Sequence, residues 1–182
     1  HNLDALAREI VADWEKASAD PKTATAPFSQ DPIEATAQFY AGLMTGMQIV
    51  AVQKLAGPRG TTIDKAKPKT AEQWRSGRSL KNIKLNLDTA RAAVLGEHGF
   101  AMLLGSGNDA LKAEIGAAFD AAITAADAAP EPMDTAVADP EGRKKVGALL
   151  VAVNQLVDVL KQKAAPAMGI SLGFNEMDGD GS

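Results

Sequence analysis

The residues best suited to chemistry in this chain of 182 residues lie in two short stretches, one just ahead of an apolar-periodic segment and one at the end of the sequence. The first reads Glu72-Gln73-Trp74-Arg75-Ser76-Gly77-Arg78-Ser79-Leu80, with two arginines, two serines and a tryptophan around one glycine. Backbone N–H groups at the start of the following helix, together with Arg75 or Arg78, can hold a carboxylate or another anion. The competing reading is structural: Ser79 caps the helix, Trp74 packs, and the arginines face solvent or pair with nearby acids.

The second stretch runs from Leu172 through Gly173, Phe174, Asn175, Glu176, Met177, Asp178, Gly179, Asp180 and Gly181 to Ser182. Aspartates alternating with glycines can aim two carboxylates at one point, which suits a hard cation or a buried basic group. Leu172, Phe174 and Met177 argue that the segment packs against a core. Asp178 to Ser182 match the opening of a calcium-binding EF-hand loop, but such a loop needs about 12 residues and a closing bidentate glutamate, which do not follow here.

Other chemistry is thinly provided for. There is no cysteine, which excludes disulfides, thiolate nucleophiles and sulfur-ligated metal sites. His98 sits between Glu97 and Gly99 with no second histidine at ligand spacing, and His1 stands apart from it. Neither Gly-x-Ser-x-Gly nor His-Glu-x-x-His occurs, so no nucleophile, base and orienting group assemble from sequence. Met44 and Met47 fall on one helical face and read as core.

The elements that would position these groups are helical. Apolar residues make up 46% of the chain but aromatics only 4%, a balance that favours tightly packed helices over sheets. Leu3, Leu6, Ile10 and Trp14 predict a first amphipathic helix over residues 3–18, behind a cap at Asn2. Asp31-Pro32 is a cap followed by proline at the first helical position, and Tyr40, Leu43, Met47 and Val50 carry a second helix over 32–56 until Gly57-Pro58 ends it. A glycine-, proline- and lysine-containing loop follows from Arg59 to Lys69. Leu80, Ile83, Leu87 and Val94 supply a third helix over 80–95. A glycine-bounded apolar turn from Gly99 to Leu104 leads to a fourth over 108–127, capped by Asn108 or Asp109, with Leu111, Ile115, Phe119 and Ala122 inward. Asp139-Pro140 starts a fifth over 140–164, where Val146, Leu149, Val153, Leu156 and Leu160 alternate steps of three and four until Pro166 and Gly169. The expected fold is therefore all-α, an up-and-down antiparallel bundle of four to five helices in a single domain over residues 1–182, with a C-terminal motif at 172–181.

Charge and hydropathy narrow the partners. The formal net charge is −4 and the pI about 5.2, with lysines and arginines scattered and no basic stripe, so nucleic acid is not an expected partner. No apolar run approaches the roughly 20 residues that cross a bilayer, and the start lacks the basic-then-apolar pattern of a secretory signal. The chain is then either soluble as it stands or lacks an upstream targeting segment.

Taken together, Trp74-Arg75-Ser76-Gly77-Arg78-Ser79-Leu80 with Asn82-Ile83-Lys84-Leu85-Asn86-Leu87, then Leu172-Gly173-Phe174-Asn175 through Asp178-Gly179-Asp180, resemble the imelysin family. The Gly99 to Leu104 turn and the alanine-rich helix after it are similar too, and the resemblance is to the C-terminal half of such a protein. It implies a bacterial periplasmic or outer-membrane-associated protein of two helical-bundle domains, linked to iron uptake and first described as a peptidase. It leaves room for a lipid anchor upstream. The family's Gly-x-His-x-x-Glu hallmark does not occur here, since His1 is followed by Asp4 and His98 by Ala101. The implied partner is an N-terminal half carrying that motif, and the implied site lies at the interface with it. The motif match carries over Arg78, Ser79, Asp178 and Asp180 as one wall of that site. It does not assign their roles, for which the expectation from residue chemistry is that Arg78 and Ser79 hold an anionic group or orient a carboxylate while Asp178 and Asp180 pair with Arg78 or approach a cation, a divalent metal or iron. Three functions stay open: a metal- or ligand-binding module, a metal-dependent peptidase, and a structural or interaction bundle.

Overall fold

The computed structural model describes residues 2–19 and 31–172, and these divide between Phe39 and Tyr40 into two compact units. Among the described residues the chain is all-α, with no strand. His1 and the Asp178 to Ser182 stretch lie outside the described residues.

In the first unit, α1 spans Asn2–Ala19. Its stripe of Leu6, Ile10 and Trp14 follows the expected spacing, yet each of these is more than half exposed. The start of α2 (Pro32–Ile49) is built as its sequence indicates, because Asp31 Oδ1 accepts from the N–H groups of Ile33 and Glu34 at 3.1 and 3.0 Å.

The second unit is a four-helix bundle. Its long members are α2 from Tyr40 onward, α3 (Ser79–Leu95), α4 (Asp109–Ala128) and α6 (Pro140–Asp158), and a short α5 (Met133–Ala138) bridges the last two. Cross-helix pairs fix α3 with α4, α4 with α6, and α2 with α6 as antiparallel. Lys84 and Arg91 on α3 meet Asp127 and Asp120 on α4, so one index rises as the other falls. Lys163, just beyond α6, meets Glu114 in the second turn of α4. Tyr40 in the middle of α2 reaches Leu160, while Arg59, in the continuation of the same helix, lies against Gly147. Tyr40, Met44, Met47 and Leu55 of α2 are buried with Leu80, Ile83, Leu87 and Val94 of α3, and with Ile115, Phe119 and Ala122 of α4. The α6 seam of Val146, Leu149, Val153, Leu156 and Leu160 is wholly buried. Leu43 and Leu111 are only half-buried.

The helix ends differ from expectation for one physical reason. Proline lacks an N–H, and its ring clashes with the carbonyl four residues back. Both α2 and α6 widen into a π-helical segment just ahead of a proline, Val50–Ala56 before Pro58 and Val159–Ala164 before Pro166. Gly57 N–H then bonds the carbonyl of Val52, five residues back, and the chain stays helical through Gly57–Arg59 instead of stopping at Gly57-Pro58. After Pro166 the helix closes with Ile170 N–H on Ala165 O at 2.9 Å and Gly169 N–H on Pro166 O at 3.0 Å, a Schellman arrangement.

Two polar contacts tie these helices together. The Tyr40 hydroxyl donates to Leu160 O at 2.9 Å, and its ring packs edge-on against Phe100 at 5.0 Å in the turn Phe100–Leu103. Arg143, 8% exposed, donates from Nη2 to Gly60 O at 2.8 Å and from Nη1 to Arg59 O. The start of α6 is shaped for this. Asp139 accepts from Gly142 N–H at 2.7 Å, and Gly142 is bare because a Cβ would stand 2.7 Å from Ala136 O.

Adding that Cβ in Gly142→Ala should cost about 1–3 kcal/mol in urea unfolding. Gly42→Ala, on the exposed side of α2 with nothing within 4 Å, should instead stabilise by about 0.5–1 kcal/mol. Equal effects would mean that the backbone of α5 does not press on α6.

Burial raises the phenol pKa of Tyr40, the chain's one tyrosine, well above its ordinary 10.0. The phenol is neutral in both states below that value, and above it the unfolded chain ionises first, so its contribution to stability is lost as pH climbs from about 10 toward the raised folded value. Wild type should therefore lose stability more steeply than Tyr40→Phe over that range. Parallel stability curves would show the phenol to be solvated.

Candidate functional site

The turn that carries Arg78 and Ser79 is wound tightly before it is functional. Residues 67–77 form two single 3₁₀ turns, Pro68–Thr70 and Trp74–Ser76, in which Trp74, Ser76 and Gly77 N–H groups bond the carbonyls three residues back at 3.0–3.2 Å. Gln73 is the one described non-glycine residue with positive φ (52°), and Gly77 follows at 63°. The left-handed step at Gly77 is what glycine permits cheaply, and it folds the chain back on itself before α3.

That reversal gives Ser79 a different task from the capping expected of it. Ser79 is the first residue of α3, Arg78 holds the capping position, and neither bonds the first-turn N–H groups through its side chain. The Ser79 hydroxyl, 2% exposed, donates instead to Glu72 O at 2.5 Å and closes the turn. Ser76 likewise donates to Gln73 O at 3.1 Å. Trp74 carries two cations on its ring, with Arg75 Cζ 4.8 Å and Lys69 Nζ 5.8 Å from its centre. Arg75 is thereby placed on an aromatic face, an attraction of about 0.5–1 kcal/mol at an exposed site. Arg78 is exposed, and its guanidinium makes no ion pair or hydrogen bond among the described residues, although its carbonyl accepts from Asn82 N–H at 3.0 Å. Asp178 and Asp180 lie outside the described residues, so no position is given for them.

A lysine outside the sequence motifs ties this turn to the bundle through Glu72 and Asn86. Lys54, in the π segment of α2, donates to Asn86 Oδ1 on α3 at 2.8 Å and pairs with Glu72 Oε2 at 3.0 Å. Glu72 thus meets Lys54 through its carboxylate and Ser79 through its carbonyl. Lys54 and Asn86 also line a cleft of about 310 Å³ between α2 and α3, with Leu43, Gly46, Met47 and Thr89 around them. The available signal was Asn86 beside buried Leu87, a polar residue at the rim of an apolar stripe facing a lone lysine in the apolar run from Ile49 to Leu55.

Chemically, the arrangement offers an exposed guanidinium at Arg78 beside a helix start with no side-chain cap, and, separately, a cleft whose own cation, Lys54, is paired with Glu72. No three His, Asp or Glu side chains converge among the described residues, and His98 stands alone and exposed in the loop after α3. No described helix is long and apolar enough to cross a membrane.

Ser79→Ala removes the donor to a carbonyl inside the turn and should cost about 1–2 kcal/mol in urea unfolding. A cost near zero would mean that water replaces the hydroxyl, and that the turn is held by its 3₁₀ bonds alone.

No curated protein and no solved structure matches the chain. The family model for imelysin (peptidase M75), however, matches residues 1–160, which include the Trp74 to Ser79 turn and the whole of α3 and α4. On that match, over far more than half its length, the chain belongs to the imelysin family.

Proposed function

We propose that this chain is a ligand-binding module of an imelysin-family envelope protein, with one wall of its site on the Arg75 to Ser79 turn. The ligand is a metal or a metal-containing anion. The opposite wall comes from an upstream half that carries the Gly-x-His-x-x-Glu motif, in a periplasmic protein serving iron uptake. One observation carries this reading. In a turn where Ser76, Ser79, Glu72 and Arg75 are each occupied, the Arg78 guanidinium is left exposed and without a partner among the described residues, beside a start of α3 with no side-chain cap.

Ser79 takes a different role here from that of Arg78. Its hydroxyl is committed to Glu72, so it shapes the turn and does not touch the ligand. Asp178 and Asp180 remain candidates for the cation side of the site. A peptidase would need an open metal position and a general base, and the ligands for it would come from outside the described residues.

Calorimetric titration of zinc, calcium and iron, the last also as its citrate complex, into this chain and into a longer protein with the upstream half gives the test. Binding should appear in the longer protein. It should weaken about tenfold or more in Arg78→Ala, as loss of a charge-assisted hydrogen bond predicts, with an unchanged unfolding midpoint. Undiminished affinity in that variant would remove the turn from the site.

A further inference from the structure

The cations of this chain are not evenly spread along it. Residues 59–84 hold eight of the nineteen lysines and arginines against only two of the twenty-three acids, leaving eleven cations against twenty-one acids elsewhere. This corrects the expectation of scattered basic residues, which came from the net charge of the whole chain. Three of the groups in the segment are engaged. Glu72 is held by Lys54 and Lys84 by Asp127, while the Arg59 guanidinium packs against Gly147 with its Nε buried and without a hydrogen-bond partner, turned away from the outer surface. The other acid, Asp64, is exposed. Six cations remain, Lys65, Lys67, Lys69, Arg75, Arg78 and Lys81, all exposed and none in an ion pair among the described residues.

The fold brings two of them, Lys69 and Arg75, together at one ring and ties down the backbone around the others. Lys69 and Arg75 share the ring of Trp74, which brings the Pro68–Thr70 turn beside the turn leading to Arg78. Lys67 N–H bonds Pro58 O at 2.8 Å, and Arg143 holds the carbonyls of Arg59 and Gly60. Like charges held together in an ordered loop repel one another and oppose folding, so their retention calls for an anionic partner. Ile63 stands among the lysines at the outer turn Ile63–Lys65 and is 44% exposed. An isolated apolar side chain in a ring of cations contributes nothing on a phosphodiester backbone, but it enters the boundary between lipid headgroups and acyl chains.

We infer that the surface built by residues 61–81 docks onto an anionic lipid layer, with Lys65, Lys67, Lys69, Arg75, Arg78 and Lys81 among the headgroups and Ile63 at the acyl boundary. This surface overlaps the proposed ligand wall at the Arg75 to Ser79 turn, whereas Ile63, Lys65, Lys67 and Lys69 lie outside that turn and report on lipid docking alone.

Co-sedimentation of the full chain with vesicles of equal parts phosphatidylglycerol and phosphatidylcholine, and with vesicles of phosphatidylcholine alone, tests this. Binding should occur on the first and not the second. It should fall steeply with added salt, as the Debye length contracts from about 10 Å at 0.1 M to about 3 Å at 1 M. The triple variant Lys65→Glu/Lys67→Glu/Lys69→Glu should lose at least about tenfold in vesicle affinity, given roughly a several-fold loss for each cation removed from an anionic surface. The pair Lys16→Glu/Lys112→Glu, outside the surface, should lose far less. Ile63→Asp should weaken binding severalfold without altering the unfolding midpoint. Equal binding to phosphatidylcholine alone, or full binding by the triple variant, would overturn the proposal. So would heparin binding as tight as vesicle binding together with no effect of Ile63→Asp, because the surface would then serve a soluble polyanion.

Discussion

The contact on which the most depends is that of Arg143 with the end of α2. A helix leaves its last carbonyls without partners, and a cation beside them is favoured by their aligned dipoles. Arg143 supplies both a charge and two donors, to Arg59 O and Gly60 O, from a position almost wholly out of solvent. Had the helix ended at Gly57-Pro58, those carbonyls would not lie within reach. The π segment ahead of Pro58 carries the chain one further turn to meet α6, and the loop that begins at Gly60 then starts from a fixed point. The 3₁₀ turns, the aromatic stack on Trp74 and the cationic surface all hang from that anchor.

A buried arginine is costly to desolvate, and its bonds to carbonyls return only part of that cost. What the arrangement supplies besides stability is definition. The guanidinium is planar and its donors diverge at fixed angles, so only one placement of Arg59 and Gly60 satisfies both bonds. The bare positions on α6 serve the same placement. Gly142 lets α5 lie close, and Gly147 lets the Arg59 side chain lie flat on the helix. Lys54 does comparable work at the other end of the loop, where its bonds to Glu72 and Asn86 fasten the Trp74 turn to α2 and α3.

The helical scaffold was legible in sequence because burial repeats with the helical period. The α6 seam from Val146 to Leu160 and the α3 stripe from Leu80 to Val94 are buried as their spacing requires, and Asp31 and Asp139 cap where proline follows. The prolines misled at the other ends, since a local rule ends a helix at Pro58 while a widened turn lets it pass. Ser79 misled for a related reason: capping is a local preference, whereas its bond to Glu72 depends on the left-handed step at Gly77. Arg143 and Lys54 had no motif to announce them. Their partners are distant in sequence, and for Arg143 they are backbone atoms that every residue possesses. The clustering of cations was present in the sequence throughout, but averaging over the chain concealed it.

The commitment of the Ser79 hydroxyl has a kinetic side. Its proton is held by a backbone carbonyl and its oxygen is shut away from solvent. A ligand that needed this oxygen would have to wait for the turn to open, and its association would be limited by that conformational step and insensitive to ionic strength. A ligand met by Arg78 faces no such delay, and its capture would follow the rate of encounter and slow as salt screens the charge. The time course of binding would thus distinguish the two neighbouring residues even where affinity could not.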